Sequence, residues 1–167
     1  VAGETSAGVL AWRRAAAGPE LLLVHPGGPY WAKKDEAAWS IPKGLVDDGE
    51  DPWGAAQREF AEELGQPIAG EPQALTPRRT AGGKLILAFL VEADLDVSTV
   101  ASNSFELEWP PRSGRRASFP EVDRAAWFDP ATALWKVHKG QRPILSDAVS
   151  RLRTWLTIGD CRTGFSE

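Results

Sequence analysis

From Gly44 to Gly65 the chain reads Gly-Leu-Val-Asp-Asp-Gly-Glu-Asp-Pro-Trp-Gly-Ala-Ala-Gln-Arg-Glu-Phe-Ala-Glu-Glu-Leu-Gly. The run encodes a loop followed by a helix, and its residues mark both ends of that helix. Asp51 suits the N-cap, because its carboxylate can accept backbone N–H groups that the first turn leaves unpaired. Pro52 at the first helical position gives up only an N–H that the helix does not use. Gly65 stops the helix by taking the left-handed conformation at little cost. A helix from Pro52 to Leu64 is therefore expected. At about 100° per residue, Glu59, Glu62 and Glu63 share a sector of about 100°. Trp53, Ala56, Phe60 and Leu64 form the adjoining apolar stripe, which can face a core.

Carboxylates at i, i+3 and i+4 repel one another, at roughly a few tenths of a kcal/mol per pair. Lys or Gln on that face would remove the repulsion, yet all three Glu are present. A hard cation such as Mg2+ or Mn2+ reverses the sign of the interaction, since carboxylate oxygens are its preferred ligands. A merely solvated acidic face is the ordinary alternative for a Glu-rich helix. The loop argues against it here. Gly44 and Gly49 bracket a tight connection, and Arg58 is placed to pair with Glu50 and brace loop against helix.

The spacing of Gly44, Glu50, Arg58, Glu59, Phe60, Glu62, Glu63 and Gly65 resembles the Nudix box. One position departs: Gln66 stands where an aliphatic residue is usual, at a place that packs and carries no chemistry. The resemblance implies a MutT-type pyrophosphohydrolase acting on a nucleoside diphosphate linked to another moiety. It also implies an α/β fold, the Nudix α/β/α sandwich with a mixed central sheet. In the family the box glutamates Glu59, Glu62 and Glu63 hold metal, and the backbone carbonyl at the position of Gly44 often adds a ligand. Glu50 and Arg58 complete the catalytic set.

Lys43 precedes the first box glycine in Ser40-Ile41-Pro42-Lys43-Gly44. A cation there can reach a phosphate chain. Pro-Lys-Gly at this place is similar to family members that cleave dinucleoside or diphosphoinositol polyphosphates; those that cleave ADP-ribose more often carry Pro-Ala-Gly. Against this, no Tyr follows the box, where diadenosine tetraphosphate hydrolases often carry one. The leading expectation is a nucleoside or dinucleoside polyphosphate. Oxidised nucleoside triphosphates, ADP-ribose, nucleotide sugars and a non-catalytic nucleotide-sensing module are the alternatives.

The general base in the family is sometimes a box glutamate and sometimes a Glu outside it. Glu106, Glu108 and Glu121 are the outside candidates, with Glu121 favoured because Phe119-Pro120-Glu121 precedes the last expected strand. Arg78, Arg79 and Lys84 form a second basic group, either a phosphate clamp or a solvated strand edge. Arg112, Arg115 and Arg116 read as an exposed loop. Trp31 and Trp39 are candidates to stack a purine, with packing the alternative for each. His25 and His138 lack zinc-site spacing and read as structural.

At 167 residues, 43% hydrophobic and 25% charged, the chain suits one globular domain over 1–167. A net charge of −4 gives no reason to expect nucleic acid as a partner, so a polyanionic small molecule must be met by a local basic cluster and metal. The single Cys161 excludes an internal disulfide and points to a reducing cytoplasm. No segment has the length or apolarity of a membrane span or the pattern of a signal peptide, and the absence of Met implies that an initiator is not part of the sequence. Eight Trp residues are expected mostly in packing, and exposed ones are consistent with the homodimers common in the family.

Strands are expected at 5–13, 20–25, 39–41, 78–80, 84–91, 105–109 and 125–128, the first two pairing across Arg14 to Pro19. Asp129-Pro130 should cap a short helix. Pro143 should open a terminal helix whose apolar side is Ile144, Leu145, Ala148, Val149, Leu152, Trp155 and Leu156.

Overall fold

The computed structural model describes residues 3–162. The first two strands, β1 (Thr5–Ala15) and β2 (Gly18–Pro26), form the expected hairpin, with Ala15 opposite Gly18. Their ladder ends at Trp12–Leu21, and β2 then leaves β1 to pair antiparallel with β9 (Val122–Phe128). The gap so opened is filled by the segment that precedes the box. Ser40 bridges Val24, Val9 N–H donates to the Pro42 carbonyl, and β3 (Lys43–Leu45) pairs antiparallel with Ser6–Gly8 of β1.

The strand expected at 39–41 is thus displaced. Trp39 and Ser40 make only isolated bridges, and the ladder starts at Lys43. Ile41 N–H is drawn away by the Gln141 side chain at 3.0 Å, and Pro42 has no N–H to offer a ladder.

On its other side β1 runs parallel to β6 (Leu85–Glu92), which carries the short strands β4 (Gln73–Ala74) and β5 (Arg78–Arg79) on its far edge. The parallel β1–β6 pair makes the sheet mixed. A separate two-stranded ribbon, β7 (Ser104–Glu108) and β8 (Arg116–Pro120), precedes β9. Arg116, expected in a loop, lies in β8; β4 is only two residues long, and the alternation of β8 is weak in sequence because its inward residues include the small Ala117 and it follows directly on a Pro-, Gly- and Arg-rich loop.

The helix α1 (Pro52–Leu64) has the expected bounds. Asp51 Oδ2 accepts the Gly54 N–H at 3.0 Å, and Gly65 at φ 72° donates its N–H to Ala61 O at 2.8 Å. The buried Ala55, Ala56, Phe60 and Leu64 pack on one face of the sheet against Ala7, Val9, Ala11, Leu22 and Val24. Trp53 is only half-buried, tilted against Phe89.

The opposite face, with Leu10, Leu21, Leu23, Ile86 and Leu90, is covered by α2 (Pro130–Lys136) and α3 (Arg142–Arg162). Strand alternation sends neighbouring residues of β1 into these two cores, which gives the α/β/α sandwich. Ile144, Leu145, Ala148, Val149 and Leu152 of α3 are buried as expected, but Trp155 is exposed, because it lies past Leu152, the last residue of α3 in the core. Phe60 is fully buried. Replacing it with Ala should lower unfolding stability by about 3–5 kcal/mol, read from urea melts, through lost transfer energy and the cavity left behind.

Candidate active site

The register of β3 sorts the two central residues of the site. Residues opposed in an antiparallel pair share a face of the sheet. Gly44 faces Ala7 and therefore α1; Lys43 faces Gly8 and therefore the opposite layer. The absence of a side chain at Gly44 is what admits the Glu59 carboxylate. A Cβ there would overlap the carboxyl carbon of Glu59 and both its oxygens. Gly8 does the same for Lys43, since a Cβ on it would lie 2.6 Å from the Lys43 Cβ.

Arg58 ties loop, strand and helix together. Its Nε and Nη2 both donate to the Glu50 carboxylate at 2.9 Å, a two-pronged pair. Nη2 also donates to Leu45 O at 3.0 Å, and Nη1 donates to Glu59 at 2.9 Å and Glu62 at 3.4 Å. The guanidinium, with the Asp47 N–H, holds the Glu50 carboxyl down at about 2.

The box glutamates do not form one ready cluster. Among the described residues, no three Asp, Glu, His or Cys side chains converge closely enough to hold a cation unaided. Glu62 leans toward Arg58 with 41% of its side chain exposed, whereas the Glu59 side chain is 16% exposed. Without a cation, three like charges spread apart, and Arg58 draws off two of them. Glu63 goes the other way: its Oε2 is buried with no hydrogen-bond partner. Burial, then the charges of Glu59 and Glu121, push the Glu63 carboxyl up to about 8 against the opposing pull of Lys43. Glu59 is also raised, chiefly by burial, with Arg58 opposing.

A buried orphan carboxylate oxygen beside a second desolvated carboxylate and a bare glycine backbone suits a hard divalent cation, because all the donors are oxygen. The described residues fit such an ion at Glu59, Glu63 and Gly44.

Of the three acids considered as base, Glu121 is the one whose charge is felt by Glu59 and Glu63. Its backbone is fixed on both sides, N–H to Asn103 O at 2.8 Å and carbonyl from Gly27 N–H at 3.0 Å. Glu106 pairs with Arg116 at 3.1 Å and Glu108 accepts the Gly114 N–H at 3.0 Å, so both serve the β7–β8 ribbon.

Beyond Lys43 the sheet opens into a cleft of about 580 Å³. Lys43, Lys84, Trp31, Ile86 and His138 line it, with the Thr80–Gly82 turn at its edge. Lys43 is held below the ordinary lysine range by burial and then by the charge of Lys84, so the two ammoniums lie near each other. The other expected cations are divided by strand alternation. Arg78 opposes Ile86 and shares its face, its Nε buried without a partner. Arg79 opposes Leu85 on the other face and donates to its own turn at Gly83 O, 3.1 Å.

Trp39 stands apart from the cleft as a candidate. Its side chain is in the core, 4% exposed, with edge contacts to His25 and Phe128 and its Nε1–H on Asp35 at 2.8 Å. A buried indole with both neighbours in place has no open face for a base. Asp35 in turn accepts Lys136 Nζ at 2.7 Å, and the fully buried His25 bridges Asp123 at 2.9 Å and Lys34 O at 2.7 Å. These ties order the loop that presents Trp31. Gln141 and His138 were missed in sequence because each reaches the site from a turn a hundred residues away, with no local pattern to mark it.

The family model described as NUDIX domain matches residues 4–148. No curated protein gives a significant match. Among solved structures, a Caenorhabditis elegans Ap4A hydrolase in a binary complex aligns at 21% identity over 89% of this chain and 98% of that one, with a TM-score of 0.63. A MutT/nudix family protein from Listeria innocua aligns at 16% identity over 95% and 99%, also at 0.63. The NUDIX domain of Shewanella oneidensis NrtR, complexed with ADP ribose, aligns at 15% identity over 91% and 90%, at 0.62. At these identities the likeness is one of fold.

Proposed function

Since the chain belongs to the NUDIX domain family and is a Nudix pyrophosphohydrolase, we propose that it cleaves a phosphoanhydride bond in a nucleoside or dinucleoside polyphosphate with the help of a divalent metal. The observation that carries this reading is the buried, partnerless Glu63 Oε2 beside Glu59 and Gly44, one strand residue from a cleft holding Lys43 and Lys84.

Glu59, Glu63 and the Gly44 backbone would hold Mg2+ or Mn2+, with Glu62 the outermost acid of the set. Such an ion, when bound, supplies positive charge against the phosphates and makes a water easier to deprotonate. The chain's own groups do the rest. Arg58 keeps the Glu59 carboxylate turned toward Gly44 and fixes the loop through Glu50. Glu121, exposed and backbone-anchored, takes the proton of the attacking water on its carboxylate. Lys43 and Lys84 hold the phosphate chain in the cleft, so that its negative charge lies against two fixed ammoniums before and during bond cleavage. Arg78 shares the face of Ile86, and its unpaired Nε supports a role for it alongside them.

The test is phosphate or nucleotide release from diadenosine polyphosphates, nucleoside triphosphates, ADP-ribose, nucleotide sugars and diphosphoinositol polyphosphates. Each is run with Mg2+, with Mn2+ and with chelator. Release from a polyphosphate that stops on chelation is the expected result; binding without release at any metal concentration would show a sensing module instead. Lys43→Met keeps the stem packed on Gly8 and removes the charge. It should raise KM for the polyphosphate by about 10- to 100-fold, the value of one charge-assisted hydrogen bond, and change kcat less.

A further inference from the structure

The strand β9 carries one residue more than its partner. His25 faces Arg124 and Pro26 faces Val122, so Asp123 is an extra residue in β9, a β-bulge. The bulge shows in the packing. Ala125 and Trp127 lie on the α1 side and Ala126 and Phe128 on the other, as strand alternation requires. Continued alternation would turn Val122 away from α1, yet Val122 is buried in the α1 core. The extra residue has reversed the alternation, and so sets which way the chain ahead of it turns. The residue next ahead of Val122 is Glu121.

A bulged residue makes no ladder bond of its own, so something else must fix it. Here its side chain does so. Asp123 Oδ1 accepts from His25 Nδ1 at 2.9 Å, while Arg124 Nε lies farther off, at 3.8 Å. His25 is fully buried, and its Nε2 donates to Lys34 O at 2.7 Å. A carboxylate and a carbonyl are both acceptors, so the ring donates from both nitrogens. Through Nδ1 it holds the bulge beside Glu121. Through Nε2 it holds the loop that carries Trp31, which lines the cleft. The backbone just beyond His25 lies against the same acid: Gly27 N–H donates to Glu121 O at 3.0 Å, and a Cβ on Gly27 would overlap Pro120 O.

We propose that His25 is a positioning residue for the reaction, aiming Glu121 through the Asp123 bulge and Trp31 through Lys34, one ring nitrogen to each. The inference rests on the reading that Glu121 takes the proton of the attacking water. The charge of Glu121 reaches Glu59 and Glu63, so a turn of its backbone moves a carboxylate at the reacting centre.

The two ties can be cut separately. In His25→Asn the amide nitrogen stands where Nδ1 stood, which keeps Asp123 and loses Lys34. KM should rise about three- to tenfold, the worth of one hydrogen bond, with kcat within about twofold. In His25→Gln the amide nitrogen stands where Nε2 stood, which keeps Lys34 and loses Asp123. Here kcat should fall at least tenfold, part of the roughly 10²–10⁴-fold that a general base supplies, with KM within about twofold. Asp123→Ala cuts the same tie from a side chain that is one-third exposed and leaves the buried ring in place, so it should match His25→Gln and carries the test if that variant does not fold. Rates are read as phosphate or nucleotide release from the nucleoside or dinucleoside polyphosphate that the parent cleaves fastest with Mg2+. Circular dichroism melts fix an assay temperature below every transition.

The deciding measurement combines these changes with Glu121→Gln, which alone should lower kcat about 100-fold. If His25 acts through Glu121, adding His25→Gln or Asp123→Ala to Glu121→Gln lowers kcat by no more than about twofold further. Losses that multiply in the combined variants, parental kcat in Asp123→Ala, or KM and kcat moving together in His25→Asn and His25→Gln alike each overturn the positioning role and leave Glu121 as the base. Parental kcat in Glu121→Gln overturns the base and the inference together.

Discussion

Glu63→Gln should lower turnover of the best substrate by about 10³-fold or more, while making the metal-free protein more stable at pH 8. The first effect follows from the loss of a charged oxygen where one is buried without a partner; removing a single preorganised group at a reacting centre costs on the order of 10²–10³ even when no metal is involved. The second follows from linkage. Burial and the neighbouring Glu59 raise the folded-state Glu63 carboxyl from its ordinary 4.5 to about 8. The metal-free folded state therefore binds this proton more tightly than the unfolded chain does. The stability it contributes is fully present below pH 4.5, falls as pH rises through that value toward 8, and is gone above 8. Gln carries no such proton. In chelator, the melting temperatures of parent and variant should therefore lie close together at pH 4.5 and separate by several degrees at pH 8, the variant higher. Added metal should raise the parent more than the variant. Parental turnover in Glu63→Gln would remove this residue from the catalytic set.

Gly44→Ala should lower kcat at least 100-fold with little change in melting temperature. A methyl group there overlaps the Glu59 carboxylate, so either β3 or the carboxylate must shift, and misplacement by about 1 Å at a reacting centre costs on the order of 10²-fold. The β1–β3 pairing and the α1 core do not depend on the absence of a side chain at Gly44, so the fold persists. Gly54→Ala is the matched control. A Cβ there meets only Asp51, at 3.7 Å or more, and Ala favours a helix over Gly by about 1 kcal/mol. That protein should turn over normally and melt slightly higher. Normal kcat in Gly44→Ala would mean that the closeness of Glu59 to this backbone has no part in catalysis.

Much of the site was legible along the chain because its signals are local. Asp51-Pro52 and Gly65 set the bounds of α1 to the residue, and the Glu50–Arg58 pairing followed from spacing within one loop and one helix. The hairpin of β1 and β2 and the caps of α2 were equally local. The strand β4 was not legible, since two exposed residues show no period, and β8 was hidden because its alternation rests on Ala117 and Phe119 alone, next to a Pro-, Gly- and Arg-rich loop. The strand expected at 39–41 was lost to a contact from Gln141, which no window around Ile41 contains.

The candidate side chains divide in the same way. The sequence by itself determined that three carboxylates, a bracing arginine and a leading Lys-Gly stand together in one loop and helix, because a helix of known bounds has a known face. It could not determine that Glu62 leans out while Glu63 is buried, since that depends on which side of α1 meets the sheet and on where Arg58 reaches. Only the tertiary structure put Trp39 in the core, set Arg78 and Arg79 on opposite faces, and brought Glu121 to the box glutamates from a strand end far along the chain. Those outcomes depend on strand register and layer packing. Both are decided by contacts between residues distant in sequence, where a shift of one residue turns every side chain to the other face.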